Sequence, residues 1–125
     1  MTGPLPKEVL VVEDEPLIRM AAADALTDCG IMAWEAGDAE EALDALERHP
    51  RIGVIFTDVN MPGEMNGLGL AHEVSVTYPD VQLIVTSGAT TLADDELPDH
   101  GTFLPKPYPT HTLVSIVEKK LDAAD

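Results

Sequence analysis

Positive charge is scarce in this 125-residue sequence: 7 lysines and arginines stand against 23 aspartates and glutamates, for a formal net charge of −16. Such a surface repels nucleic acid and anionic lipid, which argues against a DNA- or RNA-binding role and suits a basic partner or a cation. Cys29 is the single cysteine, so no disulfide forms within the chain and nothing points to an oxidising compartment. Aromatic residues make up 4%, which leaves Val, Leu, Ile and Ala to fill the core. No apolar run approaches the ~20 residues of a membrane span. The opening MTGPLPKEVL lacks the basic segment and apolar core of a signal peptide. A cytoplasmic protein is expected. His49, His72, His100 and His111 have no metal-ligand spacing and read as surface residues, and Cys29 reads as a small buried hydrophobe.

What is present is a 45% apolar chain of the length of one domain. Short apolar runs at 9–12 (VLVV), 31–34, 52–57 (IGVIFT), 81–86 (VQLIVT) and 102–104 predict strands. VLVV and VIF are continuous rather than alternating, as strands covered on both faces should be. Between them run helix-period stripes. The first holds Leu17, Ala21 and Ala25 with Ile18, Ala22 and Leu26, and the second Ala39, Ala42, Leu43 and Leu46. The third holds Leu68, Ala71, Val74 and Tyr78, and the last Leu113, Ile116, Val117 and Leu121. Pro16 suits the first turn of the first helix and Gly30 the position past its end. The segment 89–100 (ATTLADDELPDH) should hold the fourth of five helices, but it is polar and carries Pro98, which predicts a short, poorly packed one. The β-α alternation implies an α/β fold, a parallel sheet with helices on both faces. One domain over 1–125 is expected, with no output domain; Met1 and the short acidic tail after Leu121 favour a free-standing protein.

The run VIFTDVNMP stops abruptly on Asp58. Burying an unpaired carboxylate costs several kcal/mol, so Asp58 either lies at a surface edge or has a use. In an open parallel sheet, ligands bind beyond the carboxyl ends of the strands. There the first strand leads to Glu13 and Asp14, the third to Asp58, the fourth to Thr86 and Ser87, and the fifth to Lys106. Crowded carboxylates favour a divalent cation, and Mg²⁺ takes one or two of them with waters and phosphate oxygens. Asp14, Asp58 and a backbone carbonyl near Asn60 fit that need. Asp58 is then placed to attack a phosphoryl group, with Lys106 and the Thr86 hydroxyl taking up charge.

VLVVEDEP, FTDVNMPGEMNGL, LIVTSG and FLPKPY, in that order and over nearly the whole chain, resemble the receiver domain of two-component response regulators. The resemblance implies a flavodoxin-like, doubly wound fold with five strands in the order 2-1-3-4-5. It implies that Asp58 is the phosphoacceptor, Asp14 a direct metal ligand, Glu13 a ligand acting through water and Asn60 the donor of a backbone carbonyl to Mg²⁺. It makes Thr86 the switch hydroxyl, Phe103 the aromatic that follows it, Lys106 the lysine of the site, and the bond to Pro107 cis. Phe103 stands where tyrosine is commoner, and the loop before Gly67 is one residue longer than the usual form. The implied partner is a sensor histidine kinase or a histidine phosphotransfer protein, and the implied catalysis is confined to the domain's own phosphorylation and dephosphorylation. A homodimer through the face of the fourth helix, fifth strand and fifth helix is a further expectation. Independently of the motifs, Pro105 suits an edge strand, where a missing N–H is tolerated.

Two other readings stay open at this point. An aspartyl-nucleophile phosphohydrolase of the haloacid dehalogenase type also uses a parallel sheet, but it wants a second aspartate as general acid where Asn60 stands. An interaction module that keeps the fold and signals without phosphate is the other. The fourth helix, if short and polar, also bears on the output surface.

Overall fold

The computed structural model describes residues 8–61, 63–88, 97–98 and 101–123. The apolar runs become strands and the periodic stretches helices: β1 (Glu8–Val12), α1 (Pro16–Asp28), β2 (Met32–Ala36), α2 (Ala39–Arg48), β3 (Ile52–Asp58), α3 (Gly67–Thr77), β4 (Gln82–Ser87), β5 (Gly101–Pro105) and α4 (Thr110–Ala123). Every strand pair is parallel and the order is β2-β1-β3-β4-β5, as expected. The strands run up to two residues beyond the apolar runs, because pairing continues onto polar residues such as Asp58 and Ser87. The helix expected over 89–100 falls mostly outside the described residues, so the last helix is α4 here.

The continuous apolar character of β1 has its cause in two-sided burial. Val9 and Val11 face a cluster with Ala22, Leu26, Leu113 and Val117 of α1 and α4. Leu10 and Val12 face the opposite cluster, with Ala42 and Leu46 of α2 and Leu70 and Val74 of α3. Alternate strand residues point to opposite faces, so each must be apolar. Local signals start the helices. Pro16 opens α1, the Asp38 side chain accepts from Glu41 N at 2.8 Å before α2, and Asn66 accepts from Gly69 N at 2.9 Å before α3. Gly30, with φ +82°, follows α1 in the left-handed region.

Three readings are corrected. Leu17 is 81% exposed and Ala21 is exposed, so only the Ala22–Leu26 side of the first stripe is core. The first turn of α1 begins past the end of β1, and Leu17 lines the groove beside Pro107 and Tyr108 instead. Cys29 is exposed because it follows the last turn of α1. His49 is half-buried, its ring stacked on Trp34 with centroids 3.6 Å apart. Met61 and Met65 pack against the α2–α3 cluster. No described helix is long and apolar enough to cross a membrane.

Candidate functional site

Glu13, Asp58, Thr86 and Lys106 follow or end strands β1, β3, β4 and β5, and the parallel sheet brings all four to one edge. Asp58 and Thr86 are register partners. Glu13 and Asp58 are 4% and 5% exposed, whereas Asp14 is exposed to solvent. Each of the three carboxylates offers an oxygen within 4.8 Å of the others. Their repulsion is met by one ammonium: Lys106 Nζ donates to Asp58 Oδ2 at 2.7 Å and to Glu13 Oε1 at 2.8 Å. Backbone amides take the remaining oxygens, Asn60 N donating to Asp58 Oδ1 at 3.0 Å and Glu15 N to Glu13 Oε2 at 3.2 Å. Lys106 precedes a cis bond to Pro107, and its own N–H donates to Ser87 O at 3.1 Å.

Burial pushes the Glu13 carboxyl above the usual glutamate value, and the hydrogen bond from Lys106 only partly offsets it. For Lys106 burial acts downward, but the bonds to Asp58 and Glu13 outweigh it and hold the ammonium above its ordinary 10.5. The native state therefore retains the Lys106 proton longer than the unfolded chain does. The stabilisation is complete below pH 10.5 and is lost as pH rises through the native value. Denaturant melts of the metal-free protein should fall off more steeply above that pH than those of Lys106→Met; parallel profiles would show the ammonium to be unimportant to stability. Glu13 follows the same trend at lower pH: its native pKa is raised, so its ionisation costs stability, a cost that appears as pH rises above 4.5 and is complete above the native value.

The Thr86 side chain is 1% exposed, and its hydroxyl has no hydrogen-bond partner among the described residues. A buried hydroxyl without a partner costs about 1–3 kcal/mol. Thr86→Val keeps the shape and removes that cost, so the variant should be as stable as the parent or up to about 1 kcal/mol more stable. A loss above about 1 kcal/mol in urea melts would mean that the hydroxyl is already engaged. Phe103 lies in β5 opposite Val85, half-buried against the core beneath α2 and α3.

Residues 9–118 match the response regulator receiver domain family. The chain belongs to this family. It is similar to the response regulator receiver protein CpdR of Brucella abortus, 30% identical over 121 residues that cover 94% of this chain and 99% of that protein. It is also similar to the sensor kinase CckA of Brucella abortus, 36% identical over 121 residues; there the match takes 94% of this chain but 13% of the kinase. The chain thus spans nearly all of one relative and a small part of another. Among solved structures, a response regulator receiver protein from Pseudomonas putida is 33% identical with TM-score 0.83, covering 94% of this chain and 99% of that one. A receiver domain protein from Methanospirillum hungatei superposes with TM-score 0.85 over 96% of this chain and 97% of that one, at 22% identity, a likeness of fold.

The receiver domain also contains contacts that the motifs do not reveal. Asn60 Nδ2 donates to Ser87 Oγ at 3.2 Å, tying the β3–α3 loop to the end of β4. Arg19 Nη1 donates to the carbonyl of Glu13 at 2.9 Å. It is one of 7 basic residues and stands five residues after Asp14, in the first part of α1, a signal available in the sequence. Beside the site, an apolar groove of roughly 370 Å³ runs between α1 and the β5–α4 loop, and Lys106 lines both.

Proposed function

We propose that this receiver domain takes a phosphoryl group onto Asp58 from a phosphohistidine of a sensor kinase or phosphotransfer protein. The observation that carries the reading is the bridging of Asp58 and Glu13 by Lys106 beside the open carboxylate of Asp14, with an unengaged Thr86 hydroxyl on the neighbouring strand. A carboxylate oxygen of Asp58 attacks phosphorus, the phosphorus–nitrogen bond breaks, and its electron pair leaves with the imidazole. Lys106 stays within reach of the new phosphoryl oxygens, and Thr86 supplies a hydroxyl donor that costs no existing bond. The groove beside Lys106, with exposed Leu17 at its rim, gives the donor an apolar footing next to the acceptor.

The donor set fits magnesium: three hard oxygen ligands crowd together with one ammonium between them. Asp14, Asp58 and the Asn60 carbonyl would hold the ion directly and Glu13 through water. When bound, Mg²⁺ supplies positive charge against the phosphoryl oxygens. Turnover of Asp58 phosphate is the domain's only catalysis in this reading, its location is the cytoplasm, and Thr86 with Phe103 relays the change to the β5–α4 face, the surface for an output partner or a second copy. In this reading residues 9–118 act as one receiver unit.

Intact-mass spectrometry after incubation with acetyl phosphate tests the proposal. One phosphoryl adduct that requires Mg²⁺ is expected. Absence of an adduct both with acetyl phosphate and with a phosphorylated histidine kinase would favour the phosphate-independent interaction module instead.

A further inference from the structure

The cation site depends on where the chain points Asp14 after β1 has ended. Glu13 keeps one strand contact, its N–H donating to Ala36 O at 3.0 Å. Its carbonyl lies past the last β1 residue, and a backbone carbonyl held away from water needs a donor. Arg19 supplies one. The residue sits one turn into α1, its N–H on Glu15 O at 2.9 Å, and a helical side chain leans toward the helix N-terminus. That direction carries the guanidinium back over the β1–α1 turn. Nη1 reaches the Glu13 carbonyl at 2.9 Å, and Nε reaches Glu35 Oε1 on β2 at 3.2 Å. Two donors of a rigid planar fork are thus fixed on two different strands' ends.

The Asp14 carboxylate, by contrast, is exposed and makes no hydrogen bond among the described residues. Its place relative to Glu13 and Asp58 therefore follows from its backbone, and the peptide joining it to Glu13 is the one that Arg19 holds. We infer that Arg19 is a positioning residue for the cation site: by fixing the Glu13–Asp14 peptide it presents Asp14 to the metal. This rests on the reading of Glu13, Asp14 and Asp58 as a Mg²⁺ site. The guanidinium and the lysine divide the task, Lys106 neutralising the carboxylates and Arg19 orienting the chain that carries one of them.

Charge and position predict opposite signs. Removing a cation near three carboxylates should tighten Mg²⁺ binding if Arg19 acts through its charge alone. Loss of orientation should weaken it, by about tenfold for a group that supports metal ligands indirectly. The measurement is the thermal midpoint against MgCl₂ concentration in chelator-treated protein, each variant referred to its own metal-free midpoint so that any baseline loss cancels. Calorimetric titration with MgCl₂ gives the same constant directly. Arg19→Ala is expected to raise the Mg²⁺ dissociation constant about tenfold. Arg19→Lys, which keeps the charge but not the fork, should fall between it and the parent, and it carries the test if Arg19→Ala does not fold. A constant that is unchanged or lower in these variants overturns the inference. Should the parent bind Mg²⁺ and accept phosphate while Arg19→Ala matches it, the Arg19 inference alone falls. If the parent neither binds Mg²⁺ nor accepts phosphate, the cation site falls and this inference with it.

Discussion

Gly67→Ala is expected to destabilise the domain by at least about 3 kcal/mol, more than most single substitutions. A Cβ at this position would overlap the carbonyl oxygen of Asp58 and lie 2.6 Å from its carbon and 2.8 Å from the Cα of Val59. All three atoms are backbone at the end of β3, so no side chain can turn aside. Gly67 N also donates to Val59 O at 2.9 Å, which holds the start of α3 against that strand end. To admit one methyl group, either α3 or the Asp58 segment must move. The variant should therefore lose phosphoryl uptake along with stability. Urea unfolding measures the first effect, and a loss below about 1 kcal/mol would show that the close approach is not maintained in solution.

Asp58→Asn is expected to fold normally and to lose phosphoryl uptake by at least about 10⁴-fold, the scale on which removing a nucleophile acts. The amide keeps the shape and an oxygen for Asn60 N, while Lys106 keeps Glu13. It also removes one of three crowded negative charges, so stability should change by no more than about 1 kcal/mol. What disappears is the anionic oxygen that forms the bond to phosphorus. Intact mass after acetyl phosphate treatment, beside a circular dichroism spectrum, separates a lost nucleophile from a lost fold. An adduct of undiminished yield in the variant would place the acceptor elsewhere.

The sequence made most of the site edge visible because a parallel sheet sorts residues by their place along each strand. An apolar run that stops on a polar residue marks a strand's end; Glu13, Asp58 and Lys106 follow such runs and Thr86 ends one. The parallel sheet then agrees with the fold inferred from pattern, and its strand order with the one that the resemblance implies. The contacts that escaped are long-range. Nothing near Gly67 in sequence reports that β3 passes within bonding distance of its missing side chain. His49, at the end of α2, stacks on Trp34 of β2, and no local pattern encodes that. Periodicity places Leu17 in the apolar stripe of α1 although it is exposed, because it gives the rows of a helix without saying which row the sheet covers. Arg19 lay within reach of sequence reasoning, but a lone arginine after an acidic pair reads as a surface charge until its guanidinium is found on the Glu13 carbonyl.

The central claim is that one carboxylate, Asp58, forms the acyl phosphate. Borohydride reduction tests it directly, because it converts an aspartyl phosphate into homoserine, and peptide mass spectrometry then locates the altered residue. After treatment with acetyl phosphate and Mg²⁺, homoserine at position 58 alone is predicted. Homoserine at position 14 or at any other aspartate, with position 58 unchanged, would contradict the account.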